Sequence, residues 1–266
     1  MVEAAAAAPA RKYIVGGNWK CNGSVEFVRT QTSMLNSVEY NQDACEVVVA
    51  PISLQIASAK TCLNSNIAVA CQNISAEKNG AFTGEISADQ IKDFELKWVL
   101  IGHSERRTLF GETDAIVAKK VVRAQEADLS AIVCIGETLE EREGEKTNEV
   151  LKTQLDAVKE SITDWSRIVI AYEPVWAIGT GKTATPEIAQ EAHAYIRQWL
   201  TENVSADVSA ATRIQYGGSA NAKNCGDLIA QQDIDGFLVG GASLKAEFKD
   251  IIQTVATAGT APATTE

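Results

Sequence analysis

A glutamate, a histidine and a lysine each follow a short apolar run in this chain, and together they could move protons. Glu173 follows Ile168 to Tyr172, an almost unbroken apolar stretch with the look of a strand buried on both faces. A carboxylate at the tip of a buried strand suits a general base. His103 follows Trp98 to Ile101, and Ser104 beside it is expected to cap the next helix. The positive end of that helix would disfavour an imidazolium, leaving a neutral ring able to donate to a carbonyl and exchange a proton with its oxygen. Lys20 follows the first apolar run and would hold negative charge building on that oxygen. Pairing with Glu105 would orient the lysine. The reaction this trio suits is the passage of a proton between neighbouring carbons of an α-hydroxy carbonyl, through an enediolate. Taken singly, each signal is weak, since lysines after strands are usually solvated and loops are usually only connections.

Two glycine-rich turns suggest what else the substrate carries. Tyr216-Gly217-Gly218-Ser219 and Gly240-Gly241 follow two later apolar runs. Glycines there let backbone N–H groups approach an anion, so Ser219, Gly240 and Gly241 are candidate phosphate contacts, with Gly179 as a further donor. Gly179 belongs to a stretch after Glu173 that reads as a lid, with Val175, Trp176 and Ile178 ahead of Gly179 and Gly181. An enediol phosphate loses its phosphate readily in water, which gives such a lid a purpose. Two other motifs are excluded here. Gly181-Lys182-Thr183 resembles the end of a nucleotide P-loop, but Trp176 stands where the first glycine is required. Gly179-Thr180-Gly181 with Ala184 fits a dinucleotide pattern but does not lie directly between strand and helix.

The elements that must position these residues alternate. Strands are expected at Tyr13 to Val15, Glu46 to Ala50, Ile67 to Ala70, Trp98 to Ile101, Ala131 to Ile135, Ile168 to Tyr172, Arg213 to Tyr216 and Gly236 to Val239. Helical patterns follow each: Ser24 to Val38, then to Asn64, from Ser87, from Ser104 with a break near Gly111 and resumption from Asp114 to Ala127, Leu139 to Ser161, Pro186 to Asn203, to Ala230, and to Val255. Strict alternation means a parallel sheet covered by helices. Eight units in about 250 residues match a single (β/α)8 barrel of the α/β class, in which chemistry sits at the C-terminal ends of the strands and a phosphate site commonly follows strands seven and eight. A doubly wound open sheet is the alternative, but it gives no reason for special residues after nearly every strand.

Bulk properties narrow the function. The 266 residues carry a formal net charge of −11, with 45% hydrophobic and 22% charged side chains. That is ordinary globular composition, and the acidity argues against a nucleic-acid or anionic-membrane partner. No apolar run approaches a membrane span. The six cysteines form no C-x-x-C, and the two histidines have no metal-ligand spacing, so a structural zinc site is not expected. Residues 1–10 and 258–266 are low-complexity ends expected to be disordered, with 11–257 as the catalytic barrel. The expected compartment is reducing and cytoplasmic, an organelle stroma or matrix being the alternative.

Seven motifs then resemble one family. N-W-K at Asn18 to Lys20, G-A-F-T-G-E at Gly80 to Glu85, G-H-S-E-R-R at Gly102 to Arg107, C-I-G-E at Cys134 to Glu137, A-Y-E-P-V-W-A-I-G-T-G-K at Ala171 to Lys182, Y-G-G-S at Tyr216 to Ser219 and G-F-L-V-G-G-A-S-L at Gly236 to Leu244 closely resemble the triosephosphate isomerases, in order from Lys12 to about Val255. The resemblance implies cofactor-free interconversion of dihydroxyacetone phosphate and D-glyceraldehyde 3-phosphate. It implies Glu173 as base, His103 as electrophile and proton shuttle, Asn18 and Lys20 at the substrate oxygen, and Gly179, Ser219, Gly240 and Gly241 at the phosphate. It also implies a homodimer, with the loop from Gly80 to Glu85 entering the partner, Thr83 and Phe82 in the contact and Cys21 beside it. Ala220 departs from the usual valine of Y-G-G-S-V-N, and Cys21 follows the lysine in place of methionine. A non-catalytic phosphate-binding barrel and another phosphosugar isomerase are the competing readings. Loss of Lys20, His103 or Glu173 would have favoured the first, and all are present.

Overall fold

The computed structural model describes residues 11–178 and 184–259. Eight strands close into a parallel barrel in chain order: β1 Tyr13–Asn18, β2 Cys45–Ala50, β3 Ile67–Cys71, β4 Trp98–Ile101, β5 Ser130–Ile135, β6 Ile168–Tyr172, β7 Arg213–Tyr216 and β8 Gly236–Val239. Closure comes from β1 pairing with β8, Val15 opposite Phe237.

The helices outside the barrel are α1 Val25–Asn36, α2 Ile56–Cys62, α3 Ala88–Asp93, α4 Ser104–Phe110, α5 Asp114–Glu126, α6 Leu139–Glu143, α7 Thr147–Lys159, α8 Pro186–Asn203, α9 Ala206–Ala211, α10 Cys225–Ile229 and α11 Phe248–Ala258. The single helix expected from Leu139 to Ser161 is two. Gly144 ends α6, Glu145 adopts a left-handed φ of 57°, and α7 restarts at Thr147. A short helix, α9, capped by Ser205, was not anticipated after α8. The helix expected after β7 shrinks to α10, and α11 runs three residues past Val255.

The alternation of the strands builds two cores. Ile14, Val48, Ala70, Trp98, Leu100, Ile132, Cys134, Val169, Ala171 and Leu238 form one cluster inside the barrel. Their neighbours in sequence, such as Val15, Val49, Val99, Val133, Ile170 and Val239, pack outward against the helices. This two-residue period decides the chemistry at the rim. Carried past the strand ends it turns Glu173 inward after Val169 and Ala171, Asn18 inward after Ile14 and Gly16, Gly217 after Gln215, and Gly240 after Leu238.

Candidate active site

Each inward position is fixed by local structure. Asn18 ends β1, buried, and its Oδ1 accepts the Lys20 N–H at 2.9 Å. Lys20 adopts a left-handed φ of 52°, a conformation that costs a non-glycine residue about 1 kcal/mol or more. Gln72, just past β3, holds it there. Its Nε2 donates to the Lys20 carbonyl at 2.9 Å and to the Ala50 carbonyl at 2.8 Å. The strained backbone aims Lys20 Nζ across the barrel mouth to Glu105 Oε1 at 2.6 Å, the pairing expected from the sequence.

His103 arrives differently from the sequence expectation. The helix cap is not Ser104 but His103 itself, whose Nδ1 accepts the Glu105 N–H at 3.2 Å. Gly102, with φ 73°, makes the turn that shifts the cap one residue earlier. Arg107 staples this turn, donating to the Gly102 carbonyl at 2.9 Å and pairing with Asp114 at 2.6 Å. Ser104 instead opens α4, and its N–H donates to Glu173 Oε2 at 2.8 Å. The other carboxylate oxygen, Oε1, lies 2.9 Å from His103 Nε2. An Nδ1 that accepts a bond leaves the ring proton on Nε2, directed at Glu173.

Electrostatics follow this geometry. Burial alone would lift the Glu173 carboxyl, but His103, the Ser104 N–H and Lys20 together bring it below its ordinary value. Burial likewise favours neutral His103, but the Glu173 charge and hydrogen bond outweigh it and raise the imidazole above its usual value. The raising influence is therefore mainly the resting contact with Glu173. The helix end and Lys20 act the other way.

The backbone beside Glu173 is crowded, which explains two glycines. A Cβ on Gly136 would sit 1.7 Å from the Glu173 carbonyl oxygen, and one on Gly217 would sit 2.9 Å from Glu173 Cγ. Glu173 and Gly217, with Asn18, Lys20, His103 and Glu105, wall a cavity of about 410 Å³ that also takes in Ser219, Gly240 and Gly241. Gly240 approaches Lys20, its would-be Cβ 3.3 Å from Lys20 Cε, whereas a Cβ on Gly241 would meet nothing within 4 Å. Ser219 Oγ donates to the Ala177 carbonyl at 2.7 Å, tying the β7 turn to the segment after Glu173. Gly179 lies outside the described residues.

Glu137 escaped the functional reading, though its C-I-G-E motif was visible. Fully buried, its Oε1 accepts from Tyr172 OH at 3.0 Å and Trp176 Nε1 at 2.8 Å, with Arg142 at 3.5 Å. It pins the segment after Glu173 to the barrel. Gln72 was likewise missed. No spacing rule marks a glutamine that clamps a backbone distant in sequence.

The three remaining sequence candidates stand apart from this cavity. Cys21 is exposed and lines a neighbouring cavity of about 340 Å³ with Ser53, Gly84, Glu85 and Phe110. Phe82 and Thr83 are exposed on the connection after β3 and line neither cavity. Two cross-links within that connection, Ser75 N–H to the Ile86 carbonyl at 2.8 Å and Ser87 Oγ to Asn79 Oδ1 at 2.5 Å, hold it as a projecting loop.

A glutamate, a histidine and a lysine around one glycine-lined cavity can now be set beside known proteins. The sequence model described as triosephosphate isomerase matches residues 13–255. The chain belongs to the triosephosphate isomerase family. It is 53% identical over 245 residues to the chloroplastic triosephosphate isomerase of Secale cereale, covering 92% of this chain and 82% of that one. It is 51% identical over 245 residues to the cytosolic triosephosphate isomerase of Oryza sativa subsp. japonica, covering 92% and 97%. The triosephosphate isomerase match takes in all eight strands and every rim residue named above, so the barrel expected from alternation is the triosephosphate isomerase barrel.

Proposed function

We propose that the chain carries out its family's reaction, interconverting dihydroxyacetone phosphate and D-glyceraldehyde 3-phosphate by proton transfer through an enediolate without a cofactor. Residues 11–257 act as one catalytic unit. The observation that carries the assignment of roles is the Glu173 to His103 contact of 2.9 Å at the edge of a cavity that also holds Lys20.

Glu173 takes a proton from one carbon of the α-hydroxy carbonyl and returns it to the neighbour. Lys20 and Asn18 face the oxygen on which negative charge builds. His103 Nε2 donates to that oxygen and moves the second proton between the two oxygens. For this the carboxylate must leave His103 and Ser104 for the substrate. Its departure removes the larger of the influences that raise His103, leaving only the weaker charge of Glu105 against burial, Lys20 and the helix end, which favour the neutral ring the shuttle requires. Gly240, Gly241, Ser219 and Gly179 hold the phosphate. The Ser219 bond to Ala177 and the Glu137 bond to Trp176 are contacts that closure of the segment after Glu173 would remake.

Conversion of D-glyceraldehyde 3-phosphate in D2O tests the chemistry. The enediolate route places solvent deuterium on C1 of the ketose formed. A ketose formed at full rate with none would point to a hydride shift and overturn it.

We further propose a homodimer through the face beside Cys21. Leu54, Leu109, Phe110 and Phe82 are 87%, 71%, 66% and 45% exposed, and each lines the second cavity or lies within two residues of one that does. Apolar exposure of that extent marks a contact surface. Thr83 on the projecting loop would reach the partner. The named relatives divide between cytosol and chloroplast, and we assign the chain to the cytosol, with the stroma as the other compartment.

A further inference from the structure

The cavity wall poses an electrostatic problem. Among the described residues that line it, Lys20 and Lys245 are positive, while Glu105, Glu173 and Glu247 are negative. The whole chain carries −11. A phosphate monoester brings about −1.5 to −2 near neutral pH. Approach is therefore opposed by the wall and by the molecule. Lys20 offers little relief at a distance, because Glu105 sits 2.6 Å from its Nζ.

Lys245 is placed to supply that relief. It follows the turn Gly241–Leu244, on the phosphate side of the cavity. Its backbone is fixed on both sides: its N–H donates to the Ala242 carbonyl at 3.1 Å, and its carbonyl accepts the Phe248 N–H at 3.1 Å. Phe248 is fully buried against Gly17 of β1. The side chain is 70% exposed, and Glu247 Oε1 stands 3.7 Å away, too far for a tight pair. Glu247 is held in turn, its Oε2 accepting the Ala222 N–H of the β7 turn at 3.4 Å.

We propose that Lys245 is the steering cation of this site, drawing the substrate's phosphate to the cavity mouth, and that Glu247 sets the strength of that field. The proposal rests on the phosphorylated substrate assigned above. Lys245 acts through space on encounter rather than on the reacting atoms, so it affects kcat/KM far more than kcat.

The test is kcat/KM for D-glyceraldehyde 3-phosphate at low and high ionic strength. With the charges roughly 10 Å apart, Lys245→Ala should lose about two- to three-fold at about 10 mM salt and under about 1.5-fold at about 150 mM. Lys245→Glu reverses the charge and should lose about five- to ten-fold at low salt. Glu247→Gln should move the other way, a gain of about two-fold, which misfolding cannot mimic. Proton exchange of uncharged glyceraldehyde should be unaffected in all three. Wild-type kcat/KM in Lys245→Glu at low salt would overturn the proposal. So would a loss equal at both salt concentrations and for both substrates. An inactive wild-type protein would instead defeat the isomerase assignment, and with it this role.

Discussion

Glu173 and Ser104 are joined across the barrel mouth, the carboxylate Oε2 accepting the first N–H of helix α4 at 2.8 Å while Oε1 faces His103. Both oxygens of the proposed base are thus satisfied in the resting site. This is how a carboxylate that is only 2% exposed stays ionised. It also means that, in the proposed mechanism, Glu173 must exchange these partners for the substrate.

The crowding around Glu173 gives a first prediction. In Gly217→Ala the new methyl would press on Glu173 Cγ and on the Tyr172 carbonyl, 3.1 Å away. The Glu173 carboxylate should be displaced by a few tenths of an ångström, lowering kcat by about ten- to a hundred-fold with KM little changed. Steady-state kinetics with a melting curve checks this. An unchanged kcat would mean the carboxylate is not held by that contact.

Trp176→Phe keeps a ring but removes the N–H given to Glu137, freeing one anchor of the segment after Glu173. Turnover should fall by a few-fold, about 1 kcal/mol of lost hydrogen bonding. Free phosphate released per turnover should rise, because an enediol phosphate exposed to water eliminates it. Phosphate release at the wild-type ratio would separate Trp176 from the lid.

His193 sets a pH limit on the fold. It is wholly buried on α8, its Nδ1 on the Asp233 carbonyl at 3.1 Å and its ring edge-on to Tyr172, and burial lowers it to about 4. Its folded value lies below its unfolded value of about 6.5, so protonation favours the unfolded chain. The contribution is intact above about pH 6.5, erodes between there and about pH 4, and below that has cost about 3 kcal/mol. Urea unfolding of wild type and His193→Gln at several pH values checks this: the variant should lose less stability over that window. Parallel curves would contradict it.

The proposed dimer can be broken by charge. Phe110→Glu should sediment as a monomer, since burying an unpaired carboxylate costs several kcal/mol. Alkylation restricted to Cys21 should loosen the same contact, and sedimentation unchanged by it would count against Cys21 lying there.

Much of this was legible in the sequence because strands and chemistry share one signal. An apolar run that ends at Tyr172 puts Glu173 at the rim, and β6 has the bounds that its apolar run predicts. The β8 turn follows the same logic. What stayed hidden depends on backbone conformation or on distant partners. Nothing in Glu145 announces a left-handed residue, so the pattern across the break between α6 and α7 reads as continuous helix. Ser104 is the better capping residue by type, yet the turn at Gly102 hands the cap to His103. Gln72 and Glu137 act on Lys20 and Trp176, partners that only the closed barrel brings near.

The most direct measurement is kcat of Glu173→Gln with D-glyceraldehyde 3-phosphate. The amide keeps the shape and can still meet His103, but it cannot accept a carbon-bound proton. A loss of at least about 10²- to 10⁴-fold in kcat, with KM little altered, is predicted. A variant that turns over within a few-fold of wild type would show that another group takes the proton, and the assignment of Glu173 as base would fail.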